Sequence, residues 1–252
     1  MKKIFFELSK SVYAAQTDSG IIVLDAQKDK YISIAGTSAT FLKTVVEQAI
    51  TIQDNFFSCD VHADQQESFN QDIHYFLEKK IIKKRDTSCA VRSIKKALEP
   101  GGLADYQWDR KEKFVESTQA SWFLTFKFLY LVFRVDCALR RNGIVGILKK
   151  IEVYKKKHAI YQDLMLQDIQ TLSNALDRAC SIYPKKIFCL AWASAFTLMA
   201  LKMGYKCNLV IGVQSPPFYA HAWAQVGDLV INDDSIIKSR LAIILATPFS
   251  NE

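Results

Sequence analysis

The sequence predicts a two-domain α+β protein, and three observations carry that expectation. The chain has 252 residues, half of them hydrophobic and 12% aromatic, which is enough for a sizeable core and too apolar for a disordered chain. Its first part alternates short apolar runs with turn residues and then changes to helical spacing. Its last part reverses the order, with an apolar helical stretch followed by strands around a Gly-Asp turn.

Near the N-terminus, 11-SVYAAQ-16, 20-GIIVLDA-26 and 30-KYISIAG-36 read as three short strands, separated by the turn-rich 17-TDSG-20 and 26-AQKDK-30. The stretch 37–50 reads as a helix with Thr37 or Ser38 as its N-cap. A second helix over 67–80 places Phe69, Ile73, Phe76 and Leu77 on one side, and the strand-like 81-IIKKRD-86 follows. Three strands, helices and a terminal wing describe a winged-helix-like domain over 1–86. Residues 87–106, with Pro100-Gly101-Gly102, read as a linker, and a second domain spans 107–252. That domain opens with helices to about 178, rich in aromatic and basic residues and broken at Asn142-Gly143. It continues with the helix 189-CLAWASAFTLMALKMG-204, the strand 207-CNLVIGV-213 and the hairpin 218-FYAHAWAQVGDLVINDD-234.

Composition excludes several classes. The N-terminal apolar run is too short for a secretory signal, and 121-SWFLTFKFLYLVF-133 contains Lys127 and is too short to span a bilayer. Six cysteines without a signal sequence or a CxxC pair imply free thiols in a reducing cytoplasm. The four histidines are scattered, so no zinc site is expected. The net charge of +7 arises from lysine clusters interrupted by apolar residues and acids. Solvated helix faces have that pattern, so nucleic acid is not expected; an acidic peptide, protein partner or membrane surface fits the charge.

Chemistry concentrates in the last quarter. Cys189 follows Pro184 and opens an apolar-periodic helix, where unpaired N–H groups and the macrodipole favour a thiolate. A cysteine nucleophile needs an imidazole to take its proton and an acid to orient the ring. Strand alternation puts Tyr219, His221, Trp223 and Gln225 on one face. A two-residue Gly227-Asp228 turn pairs His221 with Asp234, whereas a three-residue loop over 226–228 pairs it with Asp233. Register alone leaves the two acids level. Cys180, late in a helical pattern, and Cys207, on an apolar strand, read as structural.

These residues resemble the leader peptidases of lasso peptide biosynthesis, the B proteins of microcin J-type pathways, which are transglutaminase-like cysteine proteases. The resemblance rests on Cys189, Ile211-Gly212-Val213, Pro217-Phe218, His221-Ala222-Trp223 and Asn232-Asp233, with 32 positions from Cys189 to His221 and 12 from His221 to Asp233. It implies a catalytic triad of Cys189, His221 and Asp233, with Phe218 and Trp223 contacting substrate. It also implies that the N-terminal domain recognises the leader of a ribosomal precursor by strand addition. The expected edge is 30-KYISIA-35, so Tyr31, Ile32, Ser33 and Ile34 are expected at the leader, with the helix 69–78 beside it. No cofactor is implied for this chain, which lacks a phosphate-loop motif. The implied partner is an asparagine-synthetase-like cyclase that uses ATP. Gln225 departs from the family, which usually has an acid there. An acyl transferase of transglutaminase or arylamine N-acetyltransferase type, and a non-catalytic leader-binding module, are the alternative readings.

Overall fold

The computed structural model describes residues 2–53, 56–59, 62–85, 94–99, 102–103 and 121–249. The chain divides into two compact units, Met1–Lys96 and Ala97–Glu252. Most of the expected linker over 87–106, and the start of the second domain over 107–120, lie outside the described residues.

Among the described residues, the first unit contains two four-stranded sheets, two α-helices and a short 3-10 turn at Ala63–Gln65. Strands β2 (Val12–Thr17), β3 (Gly20–Asp25) and β4 (Lys30–Ala35) fall where alternation and turns place them. Together with β8 (Lys95–Lys96), they form a sheet in the order β4-β3-β2-β8. The other sheet has the order β6-β5-β1-β7, and of its strands the sequence pattern predicts only β7. Strand β1 (Lys2–Leu8) pairs with β5 (Ile50–Gln53) through its first residues and with β7 (Ile82–Arg85) through its last. Strand β6 is Phe56–Ser58. The expected helix over 37–50 ends early because Ile50 leaves it for β5 and is fully buried there. Helix α1 (Gly36–Glu47) starts without a side-chain cap, contrary to the cap expected at Thr37 or Ser38. It meets α2 (Gln66–Glu78) through an edge-on contact of Phe41 and Phe69 at 5.2 Å, in a core that also holds Phe6, Ile73 and Phe76. The unit therefore carries more strand than the winged-helix expectation allowed.

The second unit packs helices on an antiparallel sheet. Helix α3 (Trp122–Lys155) reverses at Gly143, whose φ of 55° and ψ of −153° lie outside helical space, and glycine adopts that conformation without a Cβ penalty. The break expected at Asn142-Gly143 is therefore a helical hairpin. Helix α4 (Leu166–Ile182) and helix α5 (Cys189–Lys202) complete the helical layer, and α5 is buried from Trp192 to Leu201. The sheet runs β11-β10-β9-β12, with β9 at Asn208–Gln214, β10 at Tyr219–Val226, β11 at Leu229–Ile231 and β12 at Ala242–Thr247. A short helix α6 (Ile237–Arg240) helps cover its other face, where Val210, Trp223, Ile237 and Leu241 form a small cluster.

Gly212 sits opposite His221 in the β9–β10 ladder. A Cβ there would come within 2.7 Å of the Leu241 Cβ and 2.9 Å of the Trp223 ring, so the indole lies flush on the strand only because the residue is glycine. Overpacking of this kind costs about 1–3 kcal/mol. Gly212→Ala should therefore lower the thermal midpoint by several degrees. The loss should be measurable by circular dichroism, whereas alanine at exposed Phe133 should leave the midpoint near that of the parent.

Candidate active site

Cys189 opens the central helix, and that helix is fixed from two sides. In its first turn, the Trp192 indole N–H donates to the buried Asp177 carboxylate of α4 at 2.8 Å, and its ring stacks on Phe196 at 5.5 Å. On the sheet side, Ala222 and Ala224 of β10 are buried, and such small side chains allow helix and strand to approach closely. Strand β11 covers β10 only at 224–226, so the earlier part of β10 is not paired on that side by β11. There the backbone N–H of Ala222 reaches the Cys189 sulfur, joined by the N–H groups of Leu190 and of Cys189 itself.

His221 and Asp233 meet directly, with 2.5 Å between the imidazole Nε2 and the carboxylate Oδ2 and both side chains almost wholly out of solvent. The hairpin register alone points to the other acid. Val226 pairs with Leu229 across a two-residue turn, and continuing that ladder would put Asp234 opposite His221. The ladder stops at Ile231, and Asn232 takes a left-handed conformation with φ 58°. Asparagine is among the few residues that tolerate this region. The turn it makes breaks alternation and places Asp233 at the Nε2 edge of the ring. Asp234 lies outside: its N–H donates to Asp233 Oδ1 at 2.8 Å, and its own carboxylate accepts from the Ile236 N–H.

Burial controls the electrostatics. It pushes His221 down to about 4 and Asp233 up to about 6. At neutral pH the imidazole is therefore neutral and the acid ionised. A carboxylate can only accept, so Nε2 carries the proton and Nδ1 holds the basic lone pair. Burial also raises the Cys189 thiol above its ordinary value, and the three N–H groups only partly oppose it. The expectation of a thiolate stabilised by the helix start is corrected here: desolvation outweighs the helix N-terminus, and the resting pair is thiol and neutral imidazole.

Other expected residues take different places. The alternation reading holds, since the His221 ring lies between Tyr219 at 6.0 Å and Trp223 at 6.2 Å, both nearly parallel to it. Trp223 is only 1% exposed and its N–H donates to Gln225 Oε1, so it buttresses the histidine and is not open to a peptide. Gln225 in turn donates to the Gly227 carbonyl, a structural use for the residue at the family's acidic position. Phe218 is 54% exposed in the turn just before β10. In the first unit, Tyr31, Ile32, Ser33 and Ile34 lie on β4, the end strand of its sheet; Ile34 is buried in the core, while Ser33 is exposed. Cys207 is buried and its thiol is pushed up to about 12, and Cys180 packs in the helical core. The five cysteines among the described residues are free thiols.

Two further contacts have no signal in the local sequence. Tyr219 stacks on His221 near the Cys189 sulfur, and its phenol is pushed up to about 12, chiefly by burial. Alternation placed it on the histidine face but could not show its nearness to the cysteine. Gln214, at the end of β9, grips the Leu103 backbone through both ends of its side-chain amide, accepting from N–H at 2.5 Å and donating to C=O at 3.0 Å. No local pattern could join residues so far apart in sequence.

Residues 131–246, within the second unit, match the family model of the transglutaminase-like superfamily. The chain is also 28% identical over 129 residues to the microcin J25-processing protein McjB of Escherichia coli, and this bears out its likeness to the B proteins of lasso peptide biosynthesis. That match covers 50% of this chain and 59% of the relative's length. No solved structure matches the chain significantly.

Two expected outcomes follow from the geometry. Alkylation of Cys189 by iodoacetamide should rise at least about tenfold between pH 7 and pH 9, because burial raises the thiol above its ordinary value. A plateau already reached at neutral pH would contradict the resting thiol; Cys189→Ser supplies the background from the other thiols. Asn232→Gly should keep the turn. Asn232→Val should displace Asp233 and lower the rate of the precursor cleavage proposed below by about 10²-fold, with a much smaller effect on the thermal midpoint.

Proposed function

We propose that this chain is the leader peptidase of a lasso peptide pathway, a cysteine endopeptidase using Cys189, His221 and Asp233. The observation that carries the reading is the buried His221–Asp233 hydrogen bond, with the N–H of the next residue, Ala222, reaching the Cys189 sulfur at the start of a central helix. His221 Nδ1 takes the thiol proton as the sulfur attacks the scissile carbonyl, and Asp233 stabilises the imidazolium that forms. The proton then passes to the leaving amine, and water releases the acyl group from sulfur. The Cys189 N–H is one donor to the oxyanion. Burial of a neutral imidazole supports this order of events, since charge appears on the ring only once substrate is engaged.

In this reading the first unit is a winged-helix-like recognition domain for the precursor leader. The leader adds as a strand along β4, whose exposed Ser33 and end position in the sheet support strand addition there. The likeness to McjB supports a ribosomal precursor as substrate. An asparagine-synthetase-like cyclase follows, using ATP to close the freed α-amine onto an acidic side chain, and the reactions take place in the cytoplasm. Among the described residues no helix is long and apolar enough to cross a membrane.

Mass spectrometry of the precursor, incubated with this chain and the cyclase, tests the proposal. The parent should release leader and free-amine core. Cys189→Ala should abolish release, His221→Ala should slow it by about 10³–10⁴-fold, and Asp233→Asn by about 10²–10⁴-fold. Unchanged leader release by the Cys189 variant would refute the peptidase, and transfer of an acyl group to an added amine would mark an acyl transferase.

A further inference from the structure

The first half of α3 carries a surface that peptide cleavage does not use. Trp122, Phe126, Tyr130 and Phe133 recur at spacings of four, four and three, which puts them on one stripe of the helix. With Phe123 beside them, these rings are 52–69% exposed, while Phe128, Val132 and Val135 fill the core from the opposite side. Five exposed aromatics in twelve residues are far more than scattered surface apolar residues account for.

Cations are interleaved with the rings. Lys127 lies 4.0 Å from the Phe123 ring centroid and Arg178 4.9 Å from that of Trp122. Arg134 donates to the Tyr130 hydroxyl at 3.0 Å. Beside the stripe, where the two arms of the α3 hairpin meet the end of α5, a pocket is rimmed by Lys127, Arg134, Lys150 and Lys202. Leu198 and Met199 contribute to its apolar floor, and no acid lines it among the described residues. The two acids of α3 are engaged elsewhere, Asp136 with Arg140 and Tyr183, and Glu152 with Lys156.

We propose that this face docks on a membrane surface rich in anionic phospholipid, with a lipid phosphate in the Lys127–Arg134–Lys150–Lys202 pocket and the aromatic stripe at the headgroup level. Trp122 and Tyr130 carry the polar ring edges favoured at that depth, the three phenylalanines add apolar area facing the acyl chains, and cations beside them are drawn to the negative leaflet. An amphipathic surface lying in the interface needs no spanning helix. A second copy of the chain would bring cation against cation. A protein partner would need a groove matched to the aromatic ridge, whereas a fluid headgroup layer accepts the ridge in any lateral register. The chain's +7 charge has the matching sign.

Vesicle flotation of the full chain tests this surface independently of leader cleavage. The parent should float with phosphatidylcholine vesicles containing about one third phosphatidylglycerol, stay behind with phosphatidylcholine alone, and be released by about 0.5 M salt. Lys127→Glu combined with Arg134→Glu should lower partitioning at least about tenfold. Phe123→Ser combined with Phe126→Ser should do likewise. Both double variants should keep the parent's circular dichroism and its cleavage rate in vesicle-free solution. Failure of the parent to float with anionic vesicles would overturn the proposal, as would variants that float like the parent. Release by free glycerol phosphate at unchanged ionic strength would overturn the bilayer assignment in favour of a soluble phosphate ligand.

Discussion

The hydrogen bond from His221 to Asp233 is the interaction on which the rest of the site depends. Both groups are nearly excluded from water, so neither can turn to solvent without leaving the other with an unpaired polar group in the interior. The surrounding fold holds that bond in place. Asn232 turns the chain so that Asp233 meets the Nε2 edge of the ring, and Tyr219 and Trp223 hold the ring between them. Gly212 leaves room for the indole. On the cysteine side of the site, Trp192 and Asp177 fasten the first turn of α5, and the alanines of β10 let that helix approach the strand.

Two effects compete at the sulfur. The helix start and the Ala222 N–H favour negative charge, while desolvation opposes it, and desolvation is the larger. The same desolvation keeps His221 neutral and its Nδ1 basic. A resting thiol is less open to stray oxidants and alkylating agents than a standing thiolate. In the proposed cleavage, proton transfer is coupled to arrival of a carbonyl, because the charge generated on the ring is met at once by Asp233. A buried aspartate pushed up to about 6 is ionised at neutral pH but within reach of protonation below it. The tautomer that leaves Nδ1 basic is therefore best defined on the neutral side.

Within the second unit, the helical layer has two uses. Its inner face, centred on α5, supports the cysteine. Its outer face, along the first arm of α3, presents rings and cations to the outside. One amphipathic hairpin, reversed at Gly143, serves both because its apolar residues fall on opposed sides, with Phe128 and Val132 inward and Phe126 and Tyr130 outward. Aromatic enrichment of that stretch was plain in the sequence, but core packing and surface display give the same composition.

The sequence by itself determined the local elements and the chemical cast. Period-two alternation located β2, β3, β4 and β10, apolar periodicity located α5, and Asn142-Gly143 marked the hairpin break, because each depends on neighbours within a few residues. It also named Cys189, His221 and Asp233, the last only through family spacing. Tertiary structure decided what depends on residues distant in sequence. Strand β1 divides its pairing between β5 and β7, and the partner of an edge cannot be read from its own pattern. Which acid meets the histidine was decided by one left-handed residue that departs from the ladder. Whether Cys189 rests as thiol or thiolate was decided by desolvation, a property of everything packed around it, which no local spacing encodes.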